Sequence, residues 1–426
     1  MKPISFIQPS RNNLRYLKWS YNSIRKNLDP MHEICVASDF SNDGTVEWCK
    51  EISKTDKNFK FIVNEGPERL GHTILYDKLI EIASNEIVCI YHADMYACPD
   101  LDKSISNHIE PGIVVSATRI EPPLHPPGQE KILFDCGIEP EEFDENKLLN
   151  ELKFFRKQNT TNGIFAPWAI YKKDFQEIGG HDWLFAPQSK EDSDIFNRFQ
   201  LKGYKFIQTW EGFVYHMTCR GSRFKDGAKR NPNGQVFMAG RETDEWLKQN
   251  GKSSREFIRK WGSFISHDQY MKPIIPHKYD IAFVFNYMGS VTSNLLKTLE
   301  PWCNNLYIRV VEYSNVEKVL ASNIIREYVK EEQSNTSFDL VEKIKVGNGK
   351  IPNNIIVEFD FMKLNQENIR FLFQLSEIIA DSGQIGEFEF DIFKVKINSL
   401  KTYEQDLIKV DNSKYEKYKS LNLTYF

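Results

Sequence analysis

Four short segments hold the residue types that could do chemistry. The first is Ser38-Asp39-Phe40-Ser41-Asn42-Asp43-Gly44-Thr45. A carboxylate such as Asp39 at the carboxyl end of a strand can accept hydrogen bonds from a base or a ribose. Asp43-Gly44 equally suits a polar turn. The second is Cys89-Ile90-Tyr91-His92-Ala93-Asp94-Met95. Extended geometry puts residues i and i+2 on one side, so His92 and Asp94 could share a cation. A carboxylate on Mn²⁺ or Mg²⁺ would help neutralise a diphosphate. A strand-end cap is the plainer reading. The third is Gly179-Gly180-His181-Asp182-Trp183 followed by Lys190-Glu191-Asp192-Ser193-Asp194. Glu191, Asp192 and Asp194 are crowded enough to raise at least one carboxyl pKa, and a shared cation or a catalytic role would explain why the crowding is tolerated. An acidic first helical turn, with Asp192 or Ser193 as a cap, also explains the crowding. The fourth is Val214-Tyr215-His216-Met217-Thr218 and the basic run Cys219-Arg220-Gly221-Ser222-Arg223-Phe224-Lys225. His216 could ligate a metal, and the run could close over phosphates; a structural histidine and a solvated loop are the alternatives.

The elements around these segments must bring them together. Apolar runs at Ile4–Ile7, Glu33–Ala37, Phe59–Asn64 and Glu86–Tyr91 read as strands. Helical periodicity over Leu14–Leu28, Thr45–Ser53 and Ile74–Ala83 separates them. This alternation predicts an α/β chain with a mostly parallel, Rossmann-like sheet, whose ligands sit at the carboxyl ends of the strands. The segments fall at those ends. Residues 111–160 read as less regular, with a proline-rich loop at Glu121–Gly128. Asp192–Leu201 reads as a helix. So does Thr243–Phe264, with Trp246, Leu247, Phe257, Ile258 and Trp261 inward.

The chain of 426 residues is expected to divide into a first α/β domain over 1–270, a smaller α/β domain over 273–400 and a tail over 401–426 whose composition suits a mobile segment. In the second domain, Tyr279–Phe285, Leu306–Val311, Ile355–Phe359 and Phe388–Ile397 have strand character, and Ser293–Leu299 and Gln366–Ala380 helical character. Its opening echoes the strand–helix–strand opening of the first. With 41% hydrophobic residues the chain is neither a disordered tail nor a disulfide-stapled miniprotein. A net charge of −4 gives no general case for nucleic-acid binding. No apolar run reaches the roughly 18 residues that span a bilayer. The strand-like start shows no secretory leader, and seven cysteines without a CxxC pair read as reduced thiols, so a cytoplasmic setting is expected.

Taken in order, the segments resemble a nucleotide-sugar glycosyltransferase of the GT-A type, closest in layout to family-2 enzymes, over roughly residues 3–220. Pro9-Ser10-Arg11-Asn12 resembles the family's first-strand turn. Ser38–Thr45 resembles its Asp-Asp-Gly-Ser-x-Asp-Gly-Thr loop, with Asp39 at the position that contacts the uracil and Ser38 replacing the first Asp. His92-Ala93-Asp94 falls on the metal-binding Asp-x-Asp motif, with His92 in place of its first Asp. Glu191-Asp192-Ser193-Asp194-Ile195-Phe196-Asn197-Arg198 is similar to the Glu-Asp-Asp-Asp-Ile-Phe-Asn-Arg stretch of β-1,4-galactosyltransferases, and Gly179-Gly180-His181-Asp182 to the Gly-Gly-Phe-Asp before it. His216 falls where the superfamily places its distal metal histidine.

The resemblance implies an inverting transfer from a nucleotide-diphosphate sugar, a UDP-sugar by preference. Asp192 is the base and Glu191 acts beside it. Asp94 and His216 hold Mn²⁺ or Mg²⁺. Pro9, Asn12, Asp39, His92, Asp94, Arg220 and Arg223 bind the donor, and Asp182 and Trp183 the acceptor or sugar. A glycan, a glycoconjugate or a protein is the expected acceptor. Nucleic acid is the least favoured, kept open by the basic loop alone. Oligomerisation through the second domain is a further expectation. Two rivals remain: a catalytically degenerate binding or scaffold protein on the same fold, and nucleotidyl transfer or phosphoryl hydrolysis, although no GxxxxGK[ST] loop is present.

Overall fold

The computed structural model describes residues 1–218, 229–237, 242–311 and 314–426. The chain forms two compact units. The first is Met1–Gly251, Ser266–Ile274 and Lys409–Phe426; the second is Lys252–Ile265 and Ile275–Ile408.

The first unit starts with β1 (Ile4–Ser10), α1 (Leu14–Asn27), β2 (Glu33–Asp39), α2 (Thr45–Thr55), β3 (Phe59–Asn64), α3 (Gly71–Ile82) and β4 (Ile87–Ile90). Strands β1, β2 and β4 are buried along their whole length, as expected of parallel strands covered on both faces. Three parallel pairings give the order β3-β2-β1-β4. Next come β5 (Met95–Ala97), α4 (Leu101–Ser106), β6 (Ile113–Glu121), β7 (Lys131–Leu133), α5 (Glu145–Phe155), β8 (Thr160–Thr161), β9 (Trp168–Tyr171), α6 (Lys172–Glu177), α7 (Glu191–Leu201) and β10 (Lys205–His216). Antiparallel β9 joins β4 to β6, and β10 runs parallel to β6. The 111–160 segment is therefore more ordered than its sequence suggests: β6 is a central strand, and Asp144 caps α5 by accepting from the Lys147 amide at 2.9 Å.

A short pair, β11 (Lys229–Arg230) and β12 (Val236–Phe237), precedes α8 (Asp244–Trp261), within which the two units divide. Phe257, Ile258 and Trp261 of α8 are buried, but Leu247 is exposed, contrary to the inward position expected of it.

The second unit has β13 (Ile281–Asn286), α9 (Val291–Leu299), β14 (Asn305–Arg309), α10 (Asn315–Glu332), α11 (Leu340–Lys343), β15 (Ile344–Val346) and β16 (Ile355–Phe359). It continues with α12 (Ile369–Phe373), α13 (Leu375–Ser382), β17 (Gly386–Phe390) and β18 (Phe393–Ile397), in sheet order β15-β14-β13-β16-β18-β17. The single helix expected over Gln366–Ala380 is two helices, because Gln374 leaves helical geometry at ψ 4°. The single strand expected over Phe388–Ile397 is a hairpin turning at Asp391-Ile392.

The end of the chain is not a free tail. Lys409–Phe426 belongs to the first unit, where β19 (Leu423–Tyr425) pairs antiparallel with β3 and Phe426 stacks on Phe61 at 4.5 Å.

Candidate active site

Strand β4 carries four apolar residues into the core and ends at Ile90; Tyr91 is also buried, and the next residues emerge at the carboxyl edge of the sheet. His92 and Asp94 lie there. Strand β10 ends beside them, because Met95 pairs with His216 across the antiparallel β5–β10 contact. One ligand atom from each of His92, Asp94 and His216 lies within 4.8 Å of the others. His216 Nε2 is 3.4 Å from Asp94 Oδ1, and its Nδ1 is 3.3 Å from Glu121 Oε1. Burial opposes a charged His216, but Asp94 and Glu121 outweigh it and lift the imidazole to about 9. Burial and the neighbouring His216 push His92 down to about 3. Two imidazoles and a carboxylate suit a borderline divalent cation better than a strictly oxygen-seeking one. The Glu121 contact to the far nitrogen of His216 is the outer-shell support that metal-bound histidines use.

Glu121 had no motif to announce it. It ends β6, is almost fully buried, and is held by Arg119 at 2.9 Å and Lys131 at 3.2 Å. Burial alone would raise its carboxyl; Arg119, His216 and Lys131 instead hold it well below the usual range.

The second wall of the crevice is α3. Its first amides are capped by Asp39, which accepts from Leu70 N at 3.0 Å and Gly71 N at 2.9 Å. Asn64 Nδ2 donates to the same carboxylate at 2.8 Å. Gly71 is required there: its φ is +73°, and a Cβ would lie 1.9 Å from the Pro187 oxygen. Arg69 Nε is 3.6 Å from Asp39, and Arg69 and Arg11 reach the same Glu245 carboxylate, at 3.4 and 3.6 Å. Asn12 ties the first two loops together, with Oδ1 accepting from Asn42 N at 2.8 Å. Pro9 is buried within β1.

Helix α3 then presents His72, Tyr76 and Asp77. Burial, then Arg69, lowers His72 to about 4. Tyr76 is buried and its hydroxyl is pushed well above its usual value by burial and then by Asp192, Glu191 and Asp94. One side chain thus feels both acidic groups of the site. Asp77 receives His181 Nδ1 at 2.8 Å and Trp183 Nε1 at 2.9 Å.

Glu191 and Asp192 open α7, after Ser189 and Lys190 at positive φ. Burial raises the Glu191 carboxyl and the Asp192 charge raises it further; burial also raises Asp192. One oxygen of Glu191 is buried without a hydrogen-bond partner. Asp194 does different work: buried with Arg198 at 2.8 Å, it anchors the guanidinium that donates to the oxygens of Ile178 at 3.1 Å and Gly180 at 2.7 Å.

Asp182 is buried, and its Oδ1 accepts from Leu184 N at 3.0 Å and Tyr415 Oη at 2.5 Å. These bonds shape the loop that carries Asp182. Trp183 is half-buried and packs edge-on against Tyr418 at 6.0 Å. Arg220 and Arg223, with the rest of the basic run to Lys225, lie outside the described residues.

Residues 5–179 match the family described as Glycosyl transferase family 2. No curated protein matches the chain. Among solved structures, GalNAc-T7 with UDP, GalNAc and Mn²⁺ is similar at 14% identity and a TM-score of 0.43, over 61% of this chain and 48% of that one. The mannosyltransferase PcManGT from Pyrobaculum calidifontis, in complex with GDP-Man and Mn²⁺, is similar at 17% identity and a TM-score of 0.36, over 51% and 58%. S. aureus TarS 1-349 in complex with UDP-GlcNAc is similar at 16% identity and a TM-score of 0.36, over 52% and 62%. The chain thus spans about half to three fifths of each of those chains. The match falls within the first unit, whose largely parallel sheet is GT-A-like, and it supports a nucleotide-sugar glycosyltransferase. The matched residues end at Gly179, so the Glu191–Asp192 helix and His216 lie beyond them.

Proposed function

We propose that the chain transfers a sugar from a nucleoside-diphosphate donor, a UDP-sugar by preference, to an acceptor hydroxyl with inversion. The observation that carries this reading is the meeting of His92, Asp94 and His216 at the carboxyl edge of a GT-A sheet. These three residues would hold a divalent cation, Mn²⁺ in preference to the more strictly oxygen-seeking Mg²⁺, which would stabilise charge on the leaving diphosphate. Asp39 and Arg69 face the nucleoside side of the crevice, and the Arg69 guanidinium favours an anionic ligand. Asp192 takes the proton of the acceptor hydroxyl as its oxygen attacks the anomeric carbon. Glu191, the more strongly raised of the pair, stays protonated and donates a hydrogen bond. Trp183 stacks on a sugar face. A glycan, a glycoconjugate or a protein is the acceptor.

The test is nucleoside-diphosphate release from a panel of nucleotide sugars, with Mn²⁺ and with chelator. Metal-dependent release from one donor is expected. Asp192→Asn should lower transfer by about a hundredfold or more, the scale of a lost general base, with donor affinity kept. Metal-dependent UDP binding without release from any donor, with or without a saccharide panel, would favour a degenerate binding protein instead.

A further inference from the structure

The second unit repeats the sheet plan of the first. Its strands run β15-β14-β13-β16 in parallel, followed by antiparallel β18. The first runs β3-β2-β1-β4 in parallel, followed by antiparallel β9. Strand β4 leads into His92 and Asp94; its counterpart β16 leads into Asp360. Asp360 is spent on local structure, accepting from Met362 N at 3.0 Å. Among the described residues the grouping that could hold a metal lies in the first unit. The repeat therefore keeps the position of a ligand site without the cation chemistry.

A cleft of about 750 Å³ lies near the carboxyl end of β16, between the β17–β18 turn and the helices that follow β16. Phe359 pairs with Phe393, which sets the Asp391-Ile392 turn beside the carboxyl end of β16. The turn forms one lip, and residues 363–378 form the other.

The lining has an apolar face and a polar rim. Phe390 is 58% exposed, and Phe371 stacks on it at 5.2 Å and on buried Phe393 at 4.7 Å. The outer ring is thus braced from the core. Asn368 Nδ2 bridges the lips, donating to the Lys363 oxygen and to Asp391 Oδ2, each at 3.0 Å. Arg370 and Gln374 also line the cleft, and neither has a side-chain hydrogen bond or ion pair among the described residues. A braced aromatic face with amide, carboxylate and guanidinium groups around it matches a sugar ring, which offers a C–H face and a rim of hydroxyls. The guanidinium adds a preference for an acidic substituent.

We infer that the second unit binds a saccharide in this cleft, with Phe390 as the stacking face and Arg370 as the anion-reading group. The choice of a saccharide rests on the transferase reading of the first unit; the cleft itself does not.

The test uses the full chain and a panel of soluble oligosaccharides, neutral and uronic-acid-bearing, in titration calorimetry with hydrogen exchange to locate the contact. At least one member should bind and protect amides within 363–374 and 390–392. Phe390→Ala should weaken it about tenfold, an effect of the size expected for one aromatic contact. Arg370→Ala should weaken acid-bearing members more than neutral ones. Both side chains are exposed and far from the proposed catalytic groups in sequence, so donor-only nucleoside-diphosphate release should not change. No binding by the native chain at millimolar saccharide, or binding that both variants keep at full strength, overturns the inference. Saccharide binding that is lost in Phe390→Ala upholds it even where the native chain releases no nucleoside diphosphate, so the two readings fail separately.

Discussion

Two neighbouring carboxyls at the start of α7 differ in what they can do. Both are raised by burial, but Glu191 also bears the charge of Asp192, whereas nearby His181 pulls Asp192 down. Asp192 ionises first and Glu191 second, although the measured values will belong to the pair. Glu191→Gln copies the protonated state. It should keep activity within about tenfold and leave the acidic limb of kcat/KM in place, because that limb reports the base. The limb should lie above the ordinary Asp value of about 3.9, since activity needs the charged form and burial disfavours it. A pH–rate profile of both proteins checks this. A large loss in Glu191→Gln, or a limb that moves, would exchange the two roles. At this scale the sequence was informative where ligand types stand on strand ends: His92, Asp94 and His216 meet as their positions suggested. Glu121 escaped notice because it opens a proline-rich stretch that reads as loop, and His72, Tyr76 and Asp77 because they sit in an ordinary helical pattern. Only the pairing of distant strands and the packing of α3 give them partners.

Elements explain most of the remaining differences. The alternation of β1 to β4 with their helices was legible because buried parallel strands are continuous apolar runs. The closing segment was not, because its Lys-, Tyr- and Asn-rich composition resembles a solvated tail. Besides the Phe426 stack on Phe61, it makes specific polar contacts. Asn412 Nδ2 donates to the His181 oxygen at 2.8 Å and its Oδ1 accepts from Trp183 N at 3.0 Å, while Val410 N donates to the Ile178 oxygen at 3.1 Å. Tyr415 completes the set on Asp182. The segment thus fastens the loop between the Gly-Gly turn and α7. Gly180 shows how tight that loop is, with φ +71° and a Cβ that would meet Asp77 Oδ2 at 2.8 Å. Tyr415→Phe removes one hydroxyl and leaves a buried carboxylate short of a donor. It should cost about 1.5–3 kcal/mol in urea unfolding and speed amide exchange across 178–185. Unchanged exchange there would mean that the loop holds itself.

At the scale of the whole molecule, two units with separate cores should answer to separate perturbations. The second unit contains a charge network around Glu300, which is fully buried with Arg259 at 2.7 Å and Lys343 at 2.6 Å. Tyr328 Oη donates to the same carboxylate at 3.0 Å. Burial would raise this carboxyl, but Lys343 and Arg259 dominate and hold it at about 2. The folded value lies below the unfolded one of about 4.3, so the stabilisation is present at neutral pH and is lost as pH falls from about 4.3 towards 2. Glu300→Gln takes the carboxylate from buried Lys343, while Arg259 keeps Glu256 and Glu332, and should cost about 3–5 kcal/mol. Mn²⁺, by contrast, should act on the first unit alone, raising its unfolding temperature with a dependence on metal concentration. Calorimetry of the native chain and the variant, each with and without Mn²⁺, separates the two effects. The expected outcome is two transitions, one moved by the metal and the other by the substitution. A single transition moved by both would show that the units unfold as one, and the saccharide cleft and the metal site would then have to be treated as thermodynamically linked.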